Sequence, residues 1–254
     1  MTEELTNFLN SDDAIFHYTK KETAMEYILN DKKLKFGLFH STNDPHEYKK
    51  RSTPAFGWGD INQSLFLESM SLIDNTIQNT AFLSFCGNSN NKGYKKPRMW
   101  SQYGQNHSGI CLVFSKKSLM KTIQNELSKN YIIYGENINY KEIDFESLSI
   151  DDDNLTSNKI VINNIEKKYQ NFLFQKHLDY KDENEFRIIL VQKNENNRYK
   201  DIFIDISNSI KFIILGDRFP KVYLPTIEEL SSKLNVEYKS LWWEHNEYHL
   251  IQIN

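Results

Sequence analysis

The sequence predicts an α+β fold, a single domain of mixed, mostly antiparallel sheets with flanking helices. Two observations predict it. Strand-length apolar runs are many and short, with helical periodicities scattered among them, and no regular strand–helix alternation appears. No internal repeat or Pro/Gly/Ser-rich linker divides the 254 residues, a length that can bury a core without disulfides. Positions 1–254 therefore read as one domain, with the acidic, Ser/Asp-rich stretch 142–158 as an exposed insertion.

The elements follow in order. Ala14–Tyr18 reads as a buried strand, and Thr19 as the cap of a helix over 20–30, with Glu22 completing a loose capping box. Leu34–Leu38 returns as a strand. Asn43-Asp44-Pro45 is a turn by chemistry, because Asn and Asp bond their own backbone and Pro fixes φ. Ile61, Leu65, Phe66, Met70, Ile73 and Ile77 recur at helical spacing over 61–79. Ala81–Cys86 has strand length, and 87–97 reads as a mobile, Lys-rich loop. A short helix over 99–106, a strand over 109–114 and an amphipathic helix over 116–129 come next. A strand or hairpin over 131–140 is interrupted at Gly135, and 159–176 reads as a long helix. Strands at 186–192, 202–206 and 210–215, a helix at 226–234 and a hairpin of 236–243 with 248–253 complete the chain.

Charge and composition exclude several classes. Lys and Arg number 31 against 34 Asp and Glu, a net charge of −3, which excludes a generally basic nucleic-acid coat protein but leaves room for a local basic groove. No run approaches the ~18 apolar residues of a membrane span, and Met1-Thr2-Glu3-Glu4 opens without an apolar signal core. The expectation is a soluble, cytoplasmic protein without a membrane partner. Cys86 and Cys111 lie in apolar runs and read as reduced core residues, and no Cys/His spacing suits zinc, so no metal is expected. Phosphate-binding glycine loops, a G-x-S-x-G elbow and an H-E-x-x-H helix are all missing from the sequence.

Four segments carry candidate chemistry. In His17-Tyr18-Thr19 the His can bond a ribose hydroxyl and the Tyr can stack on a planar ring; the same pair also suits a satisfied core histidine beside a packing aromatic. Trp100, Tyr103 and His107 share one face if their segment is helical, which lines either a pocket or an aromatic core. Glu183 and Glu185 project the same way on an extended chain, at the start of the strand Phe186–Gln192. Such paired carboxylates can orient a ribose and activate a nucleophile, or form a solvated acidic turn with Arg187 paired to one of them. Asn43-Asp44-Pro45-x-Glu47 is the fourth segment.

In this order the segments resemble DUF2971, a bacterial and phage-associated family of unknown function. The shared pattern is H-Y-T, N-D-P-x-E, M-W-x-x-Y-x-x-x-H-x-G and E-x-E-x-R, here His17–Thr19, Asn43–Glu47, Met99–Gly109 and Glu183–Arg187. More distantly, the His-Tyr-Thr strand followed by a helix is similar to ADP-ribosyltransferase-fold toxins that act on DNA, and Glu-x-Glu to the arginine-directed enzymes. That resemblance implies an ADP-ribosyltransferase-like core with NAD as substrate. It implies that His17 holds the adenosine-side ribose and that Tyr18 or Tyr103 stacks near nicotinamide. Glu185 would bond the nicotinamide ribose and stabilise the oxocarbenium-like transition state, Glu183 would orient or deprotonate the acceptor, and Arg187 would be structural or touch a phosphate. Thr19, Trp100 and His107 complete the expected cofactor-binding set, with Asn43, Asp44 and Glu47 as further site residues. The family setting implies a toxin or phage-defence effector that modifies a nucleic acid or protein, or hydrolyses NAD, with a cognate antitoxin or defence-system partner.

Two alternatives belong to other classes. Lys92, Lys95, Lys96 and Arg98 beside Tyr94 and Trp100 mix cations with aromatics, as single-strand nucleic-acid binders do. The third reading is a non-catalytic antitoxin or sensor that binds a partner protein.

Overall fold

The computed structural model describes residues 2–42, 44–48, 71, 77, 80–88, 92–142, 173–193 and 201–252. The helix expected over 61–79, most of the insertion at 142–158 and Asn43 lie outside the described residues, apart from isolated positions.

The strands are β1 (Ala14–Thr19), β2 (Lys33–Lys35), β3 (Gly37–Leu38), β4 (Ala81–Cys86), β5 (Ile110–Ser115), β6 (Tyr131–Asn137), β7 (Asn139–Tyr140), β8 (Gln175–Lys176), β9 (Glu185–Gln192), β10 (Phe203–Asp205), β11 (Ile210–Leu215), β12 (Glu237–Glu244) and β13 (Glu247–Ile251). Among the described residues the α-helices are α1 (Glu3–Leu9), α2 (Pro45–Tyr48), α3 (Pro97–Gln102), α4 (Lys116–Leu127) and α5 (Leu224–Leu234). A nine-stranded sheet runs β13-β12-β11-β5-β1-β4-β9-β6, with β3 also on β4, and two-stranded sheets form from β2 with β10 and β7 with β8. Pairing is antiparallel except for β11 with β12, joined through α5, and β7 with β8. The expected α+β architecture with mixed, mostly antiparallel sheets is the one observed.

β5 sits near the middle and is buried at all six positions. That is why Ile-Cys-Leu-Val-Phe is apolar without alternation: both its faces are covered. One face is capped by helices. A π-helix at Thr23–Leu29 buries Ala24, Ile28 and Leu29, α4 buries Leu119 and Ile123, and α5 buries Ile227, Leu230 and Leu234, all against Leu112, Ile188 and Ile213. The other face carries two apolar clusters. One joins Leu9, Phe16, Tyr18, Met99, Trp100, Val113 and Tyr248. The other joins Phe39, Phe174, Ile189 and Val191.

Several expectations are corrected. Leu34–Leu38 is not one strand: Lys33–Lys35 pairs with β10, a ladder the Phe36 N–H extends to the Ile202 carbonyl at 2.9 Å, while Gly37–Leu38 pairs with β4 in the large sheet. β6 runs unbroken through Gly135, whose missing side chain leaves room for Met120 of α4: an added Cβ would stand 2.9 Å from its Cε. Of the helix expected over 159–176, residues 159–172 lie outside the described residues, and its predicted end is corrected, because Gln175–Lys176 is a strand. Thr19 is the last residue of β1, and no side-chain cap bond opens the π-helix. Asp44-Pro45 begins a helix, with the Glu47 N–H bonded to the Asp44 carbonyl at 2.9 Å. No helix among the described residues is long and apolar enough to cross a membrane.

Candidate active site

Register decides which side chains meet. Cys86 pairs with Glu185 and Ser84 with Arg187, while Phe16 pairs with Cys86. Residues directly opposite share a face, and faces alternate along a strand. Tyr18, Ser84, Cys86, Glu185 and Arg187 therefore lie on one face, between its two apolar clusters.

Arg187 is the centre of this group and is 1% exposed. Its Nε and Nη2 donate to the two Glu185 oxygens at 2.6 and 3.0 Å, a bidentate fork. Nη1 reaches Glu47 Oε1 at 2.6 Å and the Leu173 carbonyl at 3.0 Å. Phe39 and Phe82 lie 5.2 and 5.3 Å from the guanidinium, within cation–π range. Ser84 donates its hydroxyl to Glu185 Oε1. Burial works against the Glu185 carboxylate, but Arg187, Lys176 and the Ser84 hydroxyl outweigh it and hold its pKa down at about 2. Burial pushes the Glu47 carboxyl up, against the pull of Arg187.

Lys176 joins the carboxylates. The short parallel pair of β7 and β8 places it opposite Tyr140. Its Nζ lies 2.6 Å from Glu183 Oε2, 3.5 Å from Glu185 Oε2 and 4.6 Å from the Tyr180 ring centroid. The Tyr140 hydroxyl accepts the Glu185 N–H at 2.8 Å. Glu183 ends a 3₁₀ helix, and Asn184 follows in the left-handed region at φ 47°. This break, not an extended chain, turns both carboxylates toward Lys176. Tyr103, just past α3, donates to Glu183 Oε1 at 2.6 Å.

A cavity of about 280 Å³ opens over this network. Tyr18, Phe82, Met99 and Tyr103 form apolar and aromatic wall, and Glu47, Lys176, Glu183, Glu185 and Arg187 the charged wall. Fixed charges against an apolar wall suit a polar organic ligand with a planar group. Among the described residues no His/Cys/Asp/Glu group has metal-binding geometry.

The remaining predicted residues fall elsewhere. His17 pairs with Leu112, so it lies on the opposite, helix-covered face, where its Nδ1 meets the Ser84 carbonyl at 3.2 Å and its ring the Phe85 ring at 5.7 Å. Burial lowers its pKa, opposed by that bond. Alternation puts Thr19 on the same far face. Trp100 is fully buried, its Nε1–H donating to the Tyr94 carbonyl at 2.7 Å and its ring edge-on to Tyr18. His107 is not on the helix. α3 stops at Gln102, and Gln105, Asn106 and His107 all have positive φ, so its ring turns to the Tyr248 hydroxyl at 2.9 Å and Asp217 at 3.5 Å. Asp44 is buried beside Glu47 in sequence but does not line the cavity.

Three of the four loop cations are paired, while Lys92 and Arg98 are exposed. Lys95 meets Glu247 at 2.5 Å, Lys96 the Asp182 carbonyl at 3.0 Å and Arg98 the Asp182 carboxylate at 3.3 Å. The loop is anchored by buried Tyr94 and by the Tyr18 hydroxyl, which donates to the Gly93 carbonyl.

Residues 99–188 match the family model described as protein of unknown function (DUF2971). Over those residues the chain is similar to DUF2971. They include Tyr103, Lys176, Glu183, Glu185 and Arg187, so the sequence the family model covers supplies most of the charged wall. The His17 and Glu47 motifs lie outside that match. No curated protein and no solved structure matches the chain.

The sequence reading missed Lys176 and Ser84. Lys176 lay inside an apparent helical period. Ser84 left one signal, a hydroxyl at an alternate position of an otherwise apolar strand.

Proposed function

We propose that the chain is an enzyme that cleaves the glycosidic bond between ribose and nicotinamide in NAD, transferring the ADP-ribose to a macromolecule or to water. The observation that carries this reading is the buried carboxylate pair, fixed by Arg187, Lys176, Ser84 and Tyr103 on an aromatic-walled cavity. Loss of nicotinamide develops positive charge on the ribose, and a preorganised carboxylate in a water-poor site stabilises it. Tyr18 and Tyr103 supply ring surface for a planar base. His17 has no part in the reading, since it lies on the other face. An ADP-ribosyltransferase-like core and a toxin or phage-defence role belong to the same proposal, and rest on the motif resemblance.

The test is incubation of the pure protein with NAD alone and with RNA, DNA and lysate protein. Nicotinamide release by wild type, and its loss in a double Glu183→Gln, Glu185→Gln variant, supports the reading. Absence of release under every condition rejects it.

A further inference from the structure

Both carboxylates border the cavity, but their oxygens are not equally committed. Glu185 accepts at Oε1 from Arg187 Nε at 2.6 Å and from the Ser84 hydroxyl, and at Oε2 from Arg187 Nη2 at 3.0 Å and Lys176 at 3.5 Å. A carboxylate offers about four acceptor directions, so Glu185 is saturated. Its backbone N–H is also held, by Tyr140. Glu183 accepts one bond per oxygen, from Tyr103 and Lys176, both at 2.6 Å. Two acceptor directions remain open on a carboxylate that lines the cavity.

From this asymmetry we propose that Glu183 is the catalytic carboxylate and Glu185 a positioning residue. The assignment reverses the roles that the Glu-x-Glu resemblance implies. It rests on the NAD reading for its chemistry. As the bond between C1′ and the nicotinamide nitrogen breaks, its electron pair goes to that nitrogen and neutralises the pyridinium. Glu183 faces the positive charge left on the ribose. A water or acceptor lone pair then bonds C1′, and the proton it sheds passes to Glu183 and on to solvent. Glu185 acts through others: it holds Lys176 and Arg187, and Lys176 holds Glu183.

The full chain is tested as Glu183→Gln, Glu185→Gln and Ser84→Ala, by thermal melting and by nicotinamide release. Glu183→Gln is expected to melt less far below wild type than Glu185→Gln, because Lys176 keeps Glu185 as a counter-ion and the Gln oxygen still accepts one of the two bonds. Its kcat falls at least about 100-fold while KM changes less than about threefold. Glu185→Gln is expected to melt about 10 °C lower, having broken a saturated buried ion pair, and kcat, measured below its transition, falls only about tenfold. Should Glu185→Gln fail to fold, Ser84→Ala removes one of the four donors and is expected to lower melting more than kcat. The reverse order, with Glu183→Gln the less active-site-sensitive and more destabilised variant, overturns the assignment. If wild type releases no nicotinamide, the NAD reading falls by itself. The melting order then still decides which carboxylate is locked, and equal losses overturn the proposal.

Discussion

The two faces of β9 carry opposite chemistry. On one, Phe186, Ile188 and Leu190 pack into the cluster beneath the helices, where the Lys116 ammonium lies 5.2 Å from the Phe186 ring centroid and the His17 ring packs on Phe85. On the other, Glu185 and Arg187 sit one residue apart from those neighbours, equally buried and bound to Glu47, Ser84 and Lys176. A fold that needed only a core would put apolar side chains on both faces, because a buried ion network rarely stabilises more than well-packed hydrocarbon. That contrast is what the proposed catalytic role of the charged face accounts for.

The largest expected effect breaks this contrast from the charged side. Arg187→Met leaves Glu185 and Glu47 buried without their shared cation, and costs about 3–5 kcal/mol in urea unfolding. Ile188→Ala on the apolar face costs a similar amount, about 2–5 kcal/mol, but through cavity formation. The two are told apart by compensation. Replacing Glu47, Glu185 and Arg187 together with apolar groups of matched volume returns stability to within roughly 1 kcal/mol of wild type, while activity stays lost. No charge change repairs Ile188→Ala.

A pH titration sharpens the contrast at the next level. The Glu185 pKa is held at about 2, below its unfolded value. Its contribution is therefore complete above the unfolded carboxyl pKa near ~4.3 and is lost as pH falls toward the folded value, about 3 kcal/mol in all. Glu47 has the opposite sign: its raised pKa favours the fold below its unfolded value, a gain lost as pH rises through the folded one. Urea midpoints measured from pH 6 to 2 should fall steeply in wild type and more gently in Glu185→Gln. The smallest effect is at the surface. Lys95→Ala removes an ion pair to the half-exposed Glu247 and is expected to change stability by less than about 1 kcal/mol, with salt reducing even that.

Much of the fold was legible. β1, β4, β5, β9 and β11 announce themselves as runs of apolar, β-branched and aromatic residues, but which of them pair was not legible, because burial on two faces names no partner. β8 was not legible, since two residues carry no period, and with it went Lys176. The site was half legible. Glu183, Glu185, Arg187, Glu47 and Tyr103 were in view because their motifs place charge or a phenol beside apolar runs. His17 was misplaced because adjacency to Tyr18 in sequence means opposition across a strand. His107 was misplaced because helical spacing was carried past Gly104, into three residues of positive φ. Asn184 was the hidden step: only its left-handed backbone lets neighbouring glutamates at spacing two meet one lysine from a helix end and a strand start.

The central claim is that the charged face of the sheet is a catalytic site. The direct measurement is nicotinamide release from NAD by wild type and by Glu183→Gln, with both proteins shown to be folded at the assay temperature. The account predicts turnover by wild type and at least a ~100-fold lower kcat in the variant. Equal turnover by the two folded proteins would contradict it.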